Sequence, residues 1–154
     1  MPLCAIAYVS DVAGPLSAAH LDALVEDAIR FNSLAGVTGV LLCDGSRFLQ
    51  YFEGPDDGVS AVHERVLQAR SHRAIHKLGH ARVPQRYFPY WSMRWLGVEP
   101  TLIAALSDGD WEAFADRSLG GGPPVDSAME RLMRFVAPHL PVRAGVQETR
   151  SSAE

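Results

Sequence analysis

Apolar positions alternate from Leu3 to Ser10, with Cys4, Ile6, Tyr8 and Ser10 on one face and Leu3, Ala5, Ala7 and Val9 on the other. Both faces are apolar at their centre, which predicts a strand covered on two sides. A turn over Asp11–Pro15 follows, and the period lengthens. Leu21, Leu24, Val25, Ala28 and Ile29 lie on one helical stripe, behind a Ser17 placed to cap a helix running to about Asn32. Gly36 breaks that helix, Val37–Cys43 reads as a second strand, and Asp44-Gly45 signals a hairpin into a third strand beginning at Arg47. Pro55 suits the first turn of a second helix with Asp56 and Asp57 near its positive end, and its stripe is Val59, Val62, Val66 and Leu67.

From Ile75 to about Arg86 the pattern is β-like but irregular, interrupted by Pro84 and then by Phe88-Pro89. Trp91–Leu96 reads as a fifth strand with Trp91, Met93 and Trp95 on one face. Two further helical segments are expected: Thr101 to about Leu119, broken near Gly109 and restarted by Asp110, and Asp126 to about Ala137, with Met129, Leu132, Met133 and Val136 on one side. Gly120–Pro124 would connect them, and a loose polar tail would start at Pro141. The order predicts an α+β fold, a ferredoxin-like βαββαβ sandwich with a fifth strand. The first two helices cover one sheet face and the two C-terminal helices pack on the opposite face.

Composition narrows the function. The chain has 154 residues, 47% of them apolar, and a net charge of −4, which suits one soluble domain with a real core. No basic run points to direct nucleic-acid binding, and no apolar run approaches the ~20 residues of a membrane span. Cys4 and Cys43 fall within predicted strands and read as small buried hydrophobes, so a reducing, cytoplasmic setting is expected. The sequence holds no CxxC, HExxH, Walker-type loop or GxSxG, which leaves metal, nucleotide-triphosphate and serine-hydrolase chemistry without a motif.

What remains is a set of polar side chains on core faces. In Arg47–Pro55, Gln50 sits between Phe48 and Phe52 on a face that should be buried. A primary amide there needs partners, because each unpaired buried polar group costs ~1–3 kcal/mol. Either a strand-edge neighbour or a polar ligand meets that need. Asn32 is the next position on the first helical stripe, and it either caps its own helix or faces the core. Arg65, at the edge of the second stripe, is either solvated or turned toward a polar group. Tyr8, Asn32 and Gln50 come from three elements that line the gap between helices and sheet. A phenol, two amides and an Arg with apolar walls suit a flat heteroaromatic ligand and do not suit hydrolysis.

Tyr8-Val9-Ser10, Asn32, Val37–Leu41, the Phe48–Gly54 strand, Arg70-Ser71-His72 and Trp91-Ser92-Met93 together resemble the BLUF family of flavin-binding blue-light sensors. The resemblance spans about residues 3–96, and the Gln-centred strand ending in Glu-Gly is its most specific part. It implies a flavin-binding domain over 1–98, a helical extension over 99–140 and a flexible tail over 141–154. It implies FAD as cofactor, with FMN or riboflavin as alternatives. Tyr8 would be the electron and proton donor, Gln50 the switching amide, and Trp91 and Met93 the relay that passes the signal on. Asn32 would pair with the pyrimidine edge of the ring and Arg65 with its other carbonyl, with Ala28, Ile29, Phe48 and His72 also at the cofactor. Phe31 and Ala69 depart from the pattern, standing where many members carry polar residues. The implied output is a non-enzymatic signal to a downstream protein partner, from a homo-oligomer. A ferredoxin-like interaction domain without photochemistry and an acylphosphatase-like enzyme are the competing readings; the second lacks its Gly-rich phosphate loop.

Overall fold

The computed structural model describes residues 2–111 and 127–140. Five strands form one sheet: β1 (Leu3–Val12), β2 (Thr38–Cys43), β3 (Arg47–Pro55), β4 (His72–Val83) and β5 (Trp95–Gly97). Their order is β4-β1-β3-β2-β5. The first four are antiparallel to their neighbours, and β5 adds parallel to β2. The helices are α1 (Ala18–Ala35), α2 (Asp56–Gln68), α3 (Pro100–Ser107) and α4 (Ala128–Val136), with a 3-10 turn at Ala137–His139. This is the predicted ferredoxin-like frame with its fifth strand.

Period-two alternation splits the sheet between two cores, as expected for strands apolar on both faces. Cys4, Ile6, Tyr8, Phe48 and Phe52 pack toward α1 and α2, with Leu21, Val25, Val59 and Val62 opposite them. Ala5, Ala7, Leu49 and Tyr51 pack the other way, beneath Ile103 and Leu106 of α3 and Met129, Leu132 and Val136 of α4. The C-terminal segments therefore cover the second face. The expected restart at Asp110 runs into residues outside the described ones. The 120–124 connector and the 141–154 tail lie wholly outside them.

Several boundaries differ from the sequence reading. Ser17 caps α1 by accepting from His20 N–H, but the helix runs one turn past Asn32 and ends at Gly36, whose φ of 73° a glycine tolerates. Pro55 closes β3 and stands at the N-cap of α2 rather than inside its first turn. Leu67 is exposed, because at 100° per residue it falls well off the Val59-Val62-Val66 line.

The largest correction concerns the fifth strand, which shrinks to Trp95–Gly97. Gly39 and Leu41, two residues apart on β2, donate to the carbonyls of Trp91 and Arg94, three apart. One extra residue in the returning segment breaks alternation. Met93 and Trp95 therefore join the core beneath α1 and α2, while Trp91 packs against the other core. The three do not share a face.

Candidate functional site

Beneath α1 and α2 lies an open cleft with an internal volume of about 120 Å³, smaller than the ~300–1,000 Å³ of most small-molecule sites. At its floor the β1–β3 register sets Tyr8 directly opposite Gln50. The Tyr8 hydroxyl donates a hydrogen bond to Gln50 Oε1, and both residues are buried. Gln50 Nε2 donates to Met93 Sδ at 3.4 Å. Burial pushes the Tyr8 phenol well above its usual range, so it stays a neutral donor at ordinary pH.

Asn32 enters from α1. It is 2% exposed and donates Nδ2 to the Ser92 carbonyl at 2.9 Å, so it is not the cap of its helix. An amide has a second N–H and an oxygen with two lone pairs, and Asn32 lines the cleft. Among the described residues that remaining capacity is directed at no protein partner. Arg65 lines the mouth, where its guanidinium lies 4.8 Å from the Phe31 ring centroid and 3.4 Å from Asp27. Phe31 thus forms the seat on which Arg65 rests.

His72 reaches the cleft by an irregularity. Along β4, Ile75 and Lys77 share the face of Tyr8, and strict alternation would next bring in Arg73. The β1–β4 register instead slips between Val9 and Asp11, at Ala74, the one non-glycine residue with positive φ (55°) among those described. That bulge turns His72 inward and Arg73 outward. His72 Nε2 lies 3.0 Å from the Val66 carbonyl and Nδ1 lies 2.7 Å from Ser10 Oγ. A carbonyl only accepts, so Nε2 carries the proton and Ser10 donates to Nδ1. The neutral ring stands 5.6 Å from the Tyr8 ring, and burial lowers its pKa from the ordinary 6.5.

Of the residues read from the sequence, Tyr8, Ala28, Asn32, Phe48, Gln50, Arg65, His72 and Met93 all line the cleft. Ile29 does not. It is 36% exposed, rotated past the Leu21-Val25-Ala28-Asn32 line, whereas Leu24 on the other flank reaches the cleft mouth. Trp91 is also outside, for the register reason given above. Sequence reading missed Ser10 as the partner of His72, although alternation already put it on the Tyr8 face. It carried Ser92 only within the Trp91-Ser92-Met93 match and gave it no role, because its contact with Asn32 spans 60 residues of sequence.

The donor set fits a flavin ring. Asn32 and Gln50 present amides of both polarities, Val25, Ala28 and Val62 give apolar walls, and Arg65 is the one cation lining the cleft among the described residues.

The model of a family described as sensors of blue-light using FAD, BLUF, matches residues 3–94. The chain is 31% identical over 87 residues to the photoactivated adenylate cyclase subunit beta of Euglena gracilis, a match covering 56% of this chain and 10% of that protein. It is also 31% identical over 86 residues to the blue light- and temperature-regulated antirepressor BluF of Escherichia coli (strain K12), covering 56% and 21%. The matches to these curated relatives thus span about a tenth to a fifth of their length. Among solved structures, the dark state of the BLUF protein BlrB superposes with a TM-score of 0.64 at 28% identity, covering 90% of this chain and 98% of that one. Klebsiella pneumoniae BlrP1 with FMN and cyclic diGMP gives 0.61 at 26% identity, covering 88% and 34%.

Proposed function

The chain belongs to the BLUF family of flavin-using blue-light sensors, and from that premise we propose that it is a photoreceptor module whose switch is the Tyr8–Gln50 pair. The observation carrying this reading is the hydrogen bond from a buried phenol to a buried amide on the floor of the cleft. Asn32 would hold the pyrimidine edge of the ring, Arg65 would meet it at the mouth, and Ala28, Phe48 and His72 would wall it in. FAD is the form the family description supports, and the BlrP1 structure with FMN keeps the mononucleotide as the alternative.

Bound there, a flavin supplies blue absorption and, when excited, a strong oxidant. The protein supplies the rest. Tyr8 is a neutral phenol already donating to Gln50 Oε1, so an electron and a proton can leave it together, the proton moving along the existing bond. Gln50 has one accepting and one donating end. Reversing the amide, by rotation or through its imidic-acid tautomer, changes which group faces Tyr8 and which faces Met93. After the electron and proton return to Tyr8, the reversed bridge persists as the lit state. His72, held neutral between Ser10 and Val66, places no charge beside Tyr8.

Output requires a bistable element biased by that bridge, and Met93 with the segment back to Trp91 is the connected candidate. The relatives named an adenylate cyclase subunit and an antirepressor indicate signalling proteins as recipients. We place this chain's output in contact with such a protein, through a homo-oligomer. The test is an absorption spectrum of the purified, flavin-loaded protein before and after blue illumination. A reversible red shift of the flavin band is expected, and an unchanged spectrum removes the photoreceptor reading.

A further inference from the structure

Glu53 is a charged residue with no exposed surface, and neither ligand binding nor the Tyr8–Gln50 pair uses it. It stands three residues beyond Gln50 on β3, so the pleat turns it to the opposite face. There Glu53 Oε1 accepts from the Tyr51 hydroxyl at 2.7 Å, and Oε2 accepts from the Phe88 backbone N–H at 2.6 Å. The backbone of Tyr87 adds a further hydrogen bond to the carboxylate. Beside it, Arg86 donates to the Gly36 carbonyl at 2.8 Å and to Thr38 Oγ1 at 2.9 Å. The β4–β5 connection is thereby fastened at residues 86–88 to β3 and to the start of β2.

The same connection returns to β3 five residues later, on the other face, where Met93 Sδ accepts from Gln50. Segment 88–93 thus has two attachments to β3, and between them the Trp91 carbonyl accepts from Gly39 N–H of β2 and the Ser92 carbonyl from Asn32. One is a buried carboxylate that the switch does not touch. The other is the amide that the switch reverses. Trp91 lies between them, packed into the core that α3 and α4 cover and with the Arg94 guanidinium 5.0 Å from its ring centroid. Without the Phe88 attachment, the stretch ahead of Trp91 would absorb a displacement at Met93 by drifting. Fixed at Phe88, it must instead bend between the two attachments, and Trp91 is where that bend meets the far core.

We propose that Glu53 is a positioning residue for output: it anchors Phe88 so that reversal of Gln50 is delivered to Trp91 and the α3–α4 face instead of being lost in the connection. This rests on the photoreceptor reading above, and the experiment separates the two. Flavin-loaded parent, Glu53→Met, Glu53→Gln, Arg86→Met and Val59→Ala proteins are compared in dark and light. The readouts are the flavin red shift and the light-induced displacement of the Trp91 indole resonance in 15N spectra, with thermal midpoints recorded for each. Glu53→Met keeps the volume but leaves the Phe88 N–H without its acceptor. The red shift should be retained, and most of the light-induced Trp91 displacement should be lost. Glu53→Gln should largely restore it, since its oxygen can accept from Phe88 while the Tyr51 hydroxyl turns to accept from the new amide. Arg86→Met loosens the same anchor from a half-buried position and should reduce the displacement even where Glu53→Met fails to fold. Val59→Ala, in α2 and away from the segment, should lose stability without losing the Trp91 response. An unchanged Trp91 displacement in Glu53→Met, or in Arg86→Met where Glu53→Met does not fold, overturns the anchor; so does an equal loss in Val59→Ala. A parent protein with no red shift overturns the photoreceptor reading instead.

Discussion

Tyr8→Phe removes one hydroxyl and keeps the ring in its packed position against Phe52 and His72. It should bind flavin as the parent does and show no light-induced red shift. Gln50→Leu keeps the approximate volume but removes both ends of the bridge; it too should bind and fail to shift. Because the two side chains share one hydrogen bond, the double variant should lose no more than either single variant. A normal reversible shift in Tyr8→Phe would remove the donor role from that phenol. His72 gives a prediction in pH. Its folded pKa lies below the ordinary 6.5, so below pH 6.5 the unfolded chain binds a proton that the buried ring refuses. Stability therefore rises with pH through the window between the folded value and 6.5, and is lost as pH falls through it. His63 and His80 shift in the same direction, so the difference between parent and His72→Gln isolates this residue. Urea unfolding from pH 7 down to 5 should show a flatter pH dependence in the variant. Parallel curves would mean that His72 ionises in the folded protein as it does in the unfolded chain.

At the level of the element, β4 depends on its bulge. Ala74 holds a φ of 55°, a left-handed conformation that is unfavourable by roughly 1–2 kcal/mol for a residue with a Cβ. Ala74→Gly should relieve this and gain about 1 kcal/mol, after the extra freedom of glycine in the unfolded chain is subtracted. Ala74→Val should destabilise, since β-branched residues fit that region worst. A higher denaturation midpoint for the Gly variant with an unaltered His72 imidazole spectrum would fit; a lower midpoint would show that the bulge is not strained. The sequence predicted β4 as irregular because of Pro84, yet the irregularity that matters lies at Ala74, where no proline or glycine marks it. A bulge is set by pairing with β1, and pairing is a property of two distant segments.

Across the whole molecule, the sheet is a partition with the cleft on one side and α3 and α4 on the other. Leu132 is fully buried among Tyr51, Phe88 and Met129 in the second core. Leu132→Ala should therefore cost ~2–5 kcal/mol and leave the dark flavin spectrum and the red shift unchanged below the unfolding transition. Chemical denaturation and the two spectra measure this directly. A displaced dark spectrum would show that the second core reaches the flavin side even without light.

Alternation and helical period alone determined which side of the sheet each residue of β1 and β3 would face. They placed Tyr8, Gln50 and Asn32 in one gap, because the side-chain direction of a regular strand or helix is a local consequence of backbone geometry. The same regularity misassigned Trp91 and would have misassigned His72, since one extra residue in a paired strand inverts every side chain beyond it. It also gave Ile29 and Leu24 equal claims, which only the packing angle of α1 against the sheet separated. Glu53 was visible as the end of the Gln-centred strand, but its partner Phe88 is 35 residues away. Local sequence decides which face a group presents; the tertiary structure decides what waits there, because strand register and helix packing depend on segments that meet only when the chain has folded.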